Sequence, residues 1–197
     1  MKNLFLEIVK LGTILMVVCA VAAGALGLTY AYTAPVIAEQ ERKGREEKNQ
    51  EVIKIFAQVK DVSLSPKEEL VEELKAKFPE LEVIFEIISG EEVVGAAVKI
   101  SPRGYGGPVV VAVGFDLEGN IVGVNVLDAS KETAGIGNKV MTDEVFLGQF
   151  AGKKVSDPLE VKKDVDAISG ATISSKAVVR GVKDASQIFI EIMKAGK

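Results

Sequence analysis

The chain contains no histidine. That removes Ser-His-Asp and Cys-His nucleophile systems, His-ligated zinc and His-ligated haem. It contains one cysteine, Cys19, so it forms no internal disulfide and cannot supply the thiolates of an iron–sulfur cluster alone. It also lacks any strong charge bias: the net charge is −4, with acidic and basic residues interspersed. A nucleic-acid binder would carry a clustered basic face, and none is visible. Chemistry in this chain must therefore come from carboxylates, hydroxyls, lysines or an organic cofactor. No internal repeat or disordered tail is evident, and the length suits one sizeable domain plus an extra element.

The sequence does have a long uncharged run. From Leu11 to Ala38 no side chain is charged, which exceeds the ~20 residues a helix needs to cross a bilayer. A signal peptide's apolar core is shorter, roughly 7–15 residues, so the run predicts a retained transmembrane helix. Tyr30 and Tyr32 lie near one end, where aromatic rings favour the headgroup level. Cys19 falls inside this run and reads as a small apolar filler. Basic residues flank the run on both sides, so the positive-inside rule leaves its orientation open. With no ionisable residue inside it, this span is not expected to form an ion path alone.

Residues 39–58 read as a charged helix leaving the membrane, apolar only at Val52, Ile53, Phe56 and Val59. In "SPKEELVEELKAKFPE", Ser65 reads as an N-cap, Pro66 as the first helical position and Glu68 as the partner of a capping box. Leu70, Leu74 and Phe78 would share the packed face of that helix, which Pro79 ends. Two valine- and isoleucine-rich hairpins follow. One spans 81–100 and turns at Ser89–Glu92; the other turns at Glu118-Gly119-Asn120. A Gly-rich loop, "SPRGYGGP" (101–108), separates them. A second loop, "SKETAGIGNKV" (130–140), comes after, then a short helix at roughly 142–150. The last element is a helix from about Thr172 to Met193, with Val178, Val182, Ala185, Phe189 and Ile192 on one face. The fold class is α+β: an N-terminal transmembrane helix followed by antiparallel hairpins flanked by helices. The expected divisions are 1–38 for the tail and membrane helix, 39–80 for a helical connector, and 81–197 for the functional domain.

Neither Gly-rich loop is a standard nucleotide motif. "GIGNKV" has Val140 where a dinucleotide fingerprint needs its third glycine, and no βαβ unit surrounds it; "GYGGP" lacks the Lys-Ser/Thr of a P-loop. The stretch "DVDAISGATISS" offers more. Its small residues stand at the start of the last helix, where unpaired N–H groups and the helix dipole favour an anion. On the residues alone two readings stand: an ordinary Ser/Thr cap, which is the commoner arrangement, or a phosphate seat with the Thr172 hydroxyl beside it.

Asp166-x-x-Ser169-Gly170-Ala171-Thr172 resembles the D-x-x-[S/T]-G-A-T flavinylation motif of the FMN-binding domain family. Glu132-Thr133-Ala134-Gly135-Ile136-Gly137 resembles that family's E-T-P-G-L-G segment, with Ala134 for proline and Ile136 for leucine. Gly104-Tyr105-Gly106-Gly107-Pro108 resembles its G-Y-x-G-P stretch. The three occur in order and, with the membrane helix, cover essentially the whole chain. The resemblance extends to the G subunits of Rnf-type ferredoxin:NAD oxidoreductase complexes; the related C subunits of the sodium-translocating NADH:quinone oxidoreductase are the alternative, usually longer.

The resemblance implies FMN attached through its phosphate to the Thr172 hydroxyl by a flavin transferase. It implies cofactor contacts from Asp166, Ser169, Gly170, Ala171, Glu132, Thr133, Gly135, Gly137 and Tyr105, with Glu132 and Thr133 against the ring or its side chain. It assigns no acid–base residue, no metal and no stand-alone activity. It implies a single-pass protein of a prokaryotic cytoplasmic membrane, with its flavin domain outside the cytoplasm and other integral-membrane and peripheral subunits as partners. The composition agrees: with no histidine and its cysteine in the membrane run, a hydroxyl ester is the route left for a covalent flavin. The competing class is a non-redox, membrane-anchored binding or sensor domain with a plain cap at Ser169–Thr172.

Overall fold

The computed structural model describes residues 2–195. It divides into two compact units, Met1–Glu47 and Lys48–Lys197. The described residues of the first unit form the leading part of α1 (Lys2–Ile55). That helix is long and apolar enough to cross a membrane. Pro35 lies inside it and cannot donate to the helical ladder. In the preceding turns the Thr29 and Thr33 hydroxyls donate to the carbonyls of Ala25 and Thr29, each at 2.9 Å. Beyond the apolar run, Lys43–Glu39 and Arg42–Glu46 pair at i,i+4 spacing, which suits a solvated helix.

The second unit is built on a five-stranded antiparallel meander: β1 (Val62–Pro66), β2 (Leu81–Ser89), β3 (Glu92–Ile100), β4 (Val110–Asp116) and β5 (Ile121–Asp128), in that spatial order. Both predicted hairpins are present. Gly90 supplies the positive φ (63°) of the first turn. In the second, Asp116 Oδ1 accepts from the N–H groups of Glu118 and Asn120 at 2.9 and 2.8 Å, beside Gly119 at φ 83°. The hairpins join into one sheet through β3–β4, with Val98 opposite Val113.

The sheet is buried on both faces. Val98, Ile100, Val111, Val113 and Phe115 belong to one core with Val178, Val182, Ala185 and Phe189 of the C-terminal helix, which carries the predicted apolar face. Phe115 and Phe189 stack there with centroids 4.8 Å apart. On the other face Ala97, Ala112, Phe85 and Ile87 pack with Val52, from the end of α1 that belongs to this unit, and with Phe56 just after it. Gly114 makes this possible: a Cβ there would lie 2.8 Å from the Phe56 ring.

Two expectations change. Residues 62–66 are not the approach to a capping box but strand β1, paired with β2 from Val62↔Ser89 to Pro66↔Phe85. Helix α2 therefore begins later, at Glu68, and runs to Lys75; its N-cap is Lys67, with no side-chain cap. The stretch expected to be purely helical, 39–80, thus contains an edge strand. Leu70, Leu74 and Phe78 still pack on the core, joined by buried Val71. Second, the loop 130–140 ends in a 3₁₀ helix, Gly137–Met141, before α3 (Glu144–Gly148), which Asp143 caps by accepting from the Phe146 N–H at 2.9 Å.

Candidate flavin site

Three segments converge at the start of α4 (Thr172–Ala195). The first is the β3–β4 loop. It closes on itself through Val109 N–H to Pro102 C=O (2.8 Å) and Gly104 N–H to Gly107 C=O (2.7 Å), so that Tyr105 stands at its tip, 69% exposed. Gly181 lets α4 lie close over this loop's root, since a Cβ there would be 2.9 Å from Pro102. The second segment follows β5. There the Thr133 carbonyl accepts from the N–H groups of Ile136 and Gly137, at 3.2 and 2.8 Å, with Gly135 in the left-handed region at φ 74°.

The third segment leads into α4. The Gln149 side chain holds the backbone of Asp166 at both ends: its Oε1 accepts from Asp166 N–H at 2.7 Å and its Nε2 donates to Asp166 C=O at 3.2 Å. The chain then turns, with Ala171 N–H bonded to Ile168 C=O at 3.0 Å and Gly170 at φ 79°, where a side chain would be strained. Ile168 N–H donates to the buried Ser175 hydroxyl at 3.1 Å. The turn is thereby tied to the helix it precedes.

The helix start decides between a cap and a seat. Ala171 is the N-cap: its carbonyl accepts the first helical bond, from Ser175 N–H at 2.9 Å. Alanine has no side-chain oxygen and is among the poorest N-caps. Ser169 and Thr172 do not compensate, for neither hydroxyl bonds any group among the described residues. The N–H groups of Thr172, Ile173 and Ser174 find no protein acceptor there either. Among the described residues, then, no side chain caps this helix start.

These amides border a cavity of about 420 Å³, within the range of small-molecule sites. Tyr105, Thr133, Ile136, Gly137, Gly170, Ala171, Thr172, Ile173 and Ser174 line it. Ile136 and Ile173 are 48% and 54% exposed, which gives the cavity an apolar rim. No lining side chain is charged. An anion here would be met by orphan amides and by the roughly half positive charge of the helix dipole. Unpaired amides for a phosphate, an uncharged lining that includes Tyr105 and Ile136, and an exposed residue at Thr172 are a set of groups that fits FMN.

Of the residues named from sequence, the cavity brings together Thr172, Ala171, Gly170, Gly137, Thr133 and Tyr105. Asp166 and Ser169 are exposed and Gly135 lies on the loop's outer turn; none of the three lines it. Glu132 lies behind the wall, 5% exposed. Sequence reasoning missed Gln149 as the clamp on Asp166, and Ser174 and Ser175 as buried hydroxyls of the first helical turn. Small polar residues on the buried side of an amphipathic helix were the available signal for the two serines; Gln149 had none.

The class is that of FMN-binding domains: the FMN-binding domain family matches residues 104–187, which include the cavity-lining residues of all three segments of the site. The RnfG N-terminal region matches residues 1–52. The G subunit of the Na⁺-translocating ferredoxin:NAD⁺ oxidoreductase complex of Acetobacterium woodii is 38% identical over 94% of this chain and 93% of its own length. The G subunit of the ion-translocating oxidoreductase complex of Stutzerimonas stutzeri is 34% identical over 84% of this chain and 73% of its own. The crystal structure of Shewanella oneidensis NqrC is 26% identical, covers 57% of this chain and 61% of that one, and superposes with a TM-score of 0.47. The chain belongs to the family of G subunits of ion-translocating oxidoreductase complexes.

Proposed function

We propose that this protein is the membrane-anchored electron-transfer G subunit of an Rnf-type ion-translocating ferredoxin:NAD oxidoreductase complex, carrying FMN as a phosphoester of Thr172. The observation that carries the covalent reading is the uncapped start of α4. Three unpaired amides stand beside an exposed threonine hydroxyl, in a cavity with no basic side chain to hold a phosphate in another way. FMN so held would accept and release electrons, while this chain fixes its phosphate, orients its ring and sets its surroundings.

Attachment forms one bond, Thr172 Oγ1 to the flavin phosphorus. The P–O bond to the leaving group of an activated flavin phosphate breaks, and the hydroxyl proton passes to that departing group. No charged side chain lines the cavity at Thr172 to act as a base, which supports a separate flavin transferase as the source of the activating chemistry. The long apolar helix supports single-pass anchoring, and a tethered flavin suits a domain outside the cytoplasm, where a released cofactor would be lost. Partners would be the remaining membrane and peripheral subunits of the complex; nothing in the charge distribution calls for nucleic acid.

The test is intact-mass measurement and in-gel flavin fluorescence of the full chain co-expressed with its flavin transferase. One FMN phosphoester per chain is expected. Thr172→Ala should abolish it and Thr172→Ser should retain part of it. Covalent fluorescence undiminished in Thr172→Ala would sink the assignment.

A further inference from the structure

The geometry points to Glu132 as a positioning residue: a buried hydrogen-bond tie that fixes the phosphate end of the flavin site relative to its ring end, without touching the cofactor. This rests on the functional reading above. Glu132 is 5% exposed and is not part of the cavity lining. Its two carboxylate oxygens reach different segments. Oε1 accepts from Gly106 N–H at 2.8 Å, in the loop that carries Tyr105. Oε2 accepts from the Ser174 hydroxyl, in the first turn of α4, two residues beyond Thr172.

The surroundings are shaped to this side chain. A Cβ on Gly104 would lie 2.6 Å from Glu132 Oε1, and one on Gly137 would lie 3.0 Å from Oε2. Gly106 has no room either, its Cβ falling 1.9 Å from the Lys131 carbonyl. Glycines thus stand where the two loops close around the carboxylate. Among the described residues Glu132 forms no ion pair. A buried carboxylate with no cationic partner is costly unless its oxygens are bonded. Here each oxygen holds a segment that borders the cavity. Glu132 is therefore the tie nearest the cavity between the Tyr105 loop and the first turn of α4, in addition to the packing of Gly181 on Pro102 and the Arg180 bond to the Arg103 carbonyl at 3.4 Å.

The role follows from hydrogen-bond geometry rather than charge, and that makes it testable. Glutamine at this position keeps a carbonyl oxygen for Gly106 N–H. Its amide can donate to the Ser174 hydroxyl, which then serves as acceptor. Alanine leaves both partners buried and unpaired. The full chain, co-expressed with flavin transferase and purified in detergent, is assayed for covalent FMN per chain and for the visible circular dichroism of the bound flavin. Glu132→Gln should load as wild type, with an unchanged flavin spectrum and midpoint potential. Glu132→Ala and Ser174→Ala should load several-fold more slowly, and the flavin they carry should show altered visible dichroism. Ser174→Ala loses one arm of the tie and carries the test if Glu132→Ala does not fold.

The inference is overturned if Glu132→Gln loads as poorly as alanine or shifts the flavin potential, since charge or direct contact would then be at work. It is overturned equally if the alanine variants load at the wild-type rate with the wild-type spectrum. Absence of covalent flavin from the wild-type chain is a different failure, that of the functional reading itself.

Discussion

Replacing Ala171 by serine should stabilise the flavin-free protein and impair its loading. Ala171 occupies the N-cap of α4, with its carbonyl accepting from Ser175 N–H at 2.9 Å and no side-chain oxygen for the amides ahead. A serine hydroxyl there can accept from the N–H of Ile173 or Ser174. Across N-caps, Ser over Ala contributes about 0.5–2 kcal/mol, typically ~1. In a domain of this size ~1 kcal/mol moves the midpoint by about 2–4 °C. The same hydroxyl occupies the space a phosphate oxygen would take, since Ala171 itself lines the cavity. With FMN attached as proposed, its phosphate would satisfy those amides and the serine would add nothing.

The assay is differential scanning calorimetry of the full chain in detergent, with and without covalent flavin, alongside the rate of loading by the transferase. The flavin-free Ala171→Ser protein should melt about 2–4 °C higher than wild type. The flavinylated pair should differ little, and loading should slow. An equal gain in both forms would mean that the phosphate does not sit on these amides. An unchanged flavin-free midpoint with wild-type loading would refute the uncapped helix start itself.

Other outcomes test the frame around the site. Gly106→Ala forces the Tyr105 loop off the Lys131 carbonyl and breaks the bond to the Glu132 carboxylate, a bond of the kind worth about 1.5–3 kcal/mol, so calorimetry should show a loss of at least that size. Phe189→Ala removes the ring stacked on Phe115 and should cost about 3–5 kcal/mol in denaturant unfolding. Asp184 has its carboxyl pKa raised, first by burial and then by Glu80 beside it, against the opposing pull of Arg180 and Lys183. The folded state therefore binds this proton more tightly than the unfolded chain, and stability falls as pH rises from the unfolded carboxylate range through the folded value. Asp184→Asn should accordingly raise the melting temperature at pH 7 and leave it nearly unchanged at pH 3; an equal effect at both would refute the assignment.

Local signals carried most of the fold. The two hairpins were legible because Gly90 and the Asp116–Asn120 turn punctuate valine-rich runs, and α4 because its apolar positions keep helical spacing along its length. Strand β1 was not legible. "VSLSP" is short, and Ser65-Pro66 ahead of Glu68 matches a helix start so well that only pairing with β2, from Ser89 back to Phe85, decides otherwise. That is tertiary context overriding local propensity. Within the site, the motif fixed which segments meet but not which way their side chains face. Glu132 stands beside Thr133 in sequence, yet one turns away from the cavity and the other lines it. The cap question had the same origin. Ser169 and Thr172 invite a capping role by residue type, but the helix begins at Thr172 itself, so the N-cap falls on Ala171, which has no side-chain oxygen to offer.

That one-residue placement bears on how such a site divides its work. Backbone amides hold an anion by direction and partial charge, without bringing a fixed cation beside the ring. With no charged lining, a ring bound in this cavity would meet only Tyr105, Thr133, Ile136, Ile173 and their small neighbours. A seat made only of amides on an open surface binds a free phosphate less firmly than one with an added arginine or lysine, because charge-assisted bonds from a cation are the stronger kind. The proposed ester at Thr172 would remove the need for that affinity. Retention would then pass to a covalent bond, leaving the helix start to orient the phosphate. A site so built would keep the ring's surroundings free of charged side chains, beside the exposed apolar side chains of Ile136 and Ile173.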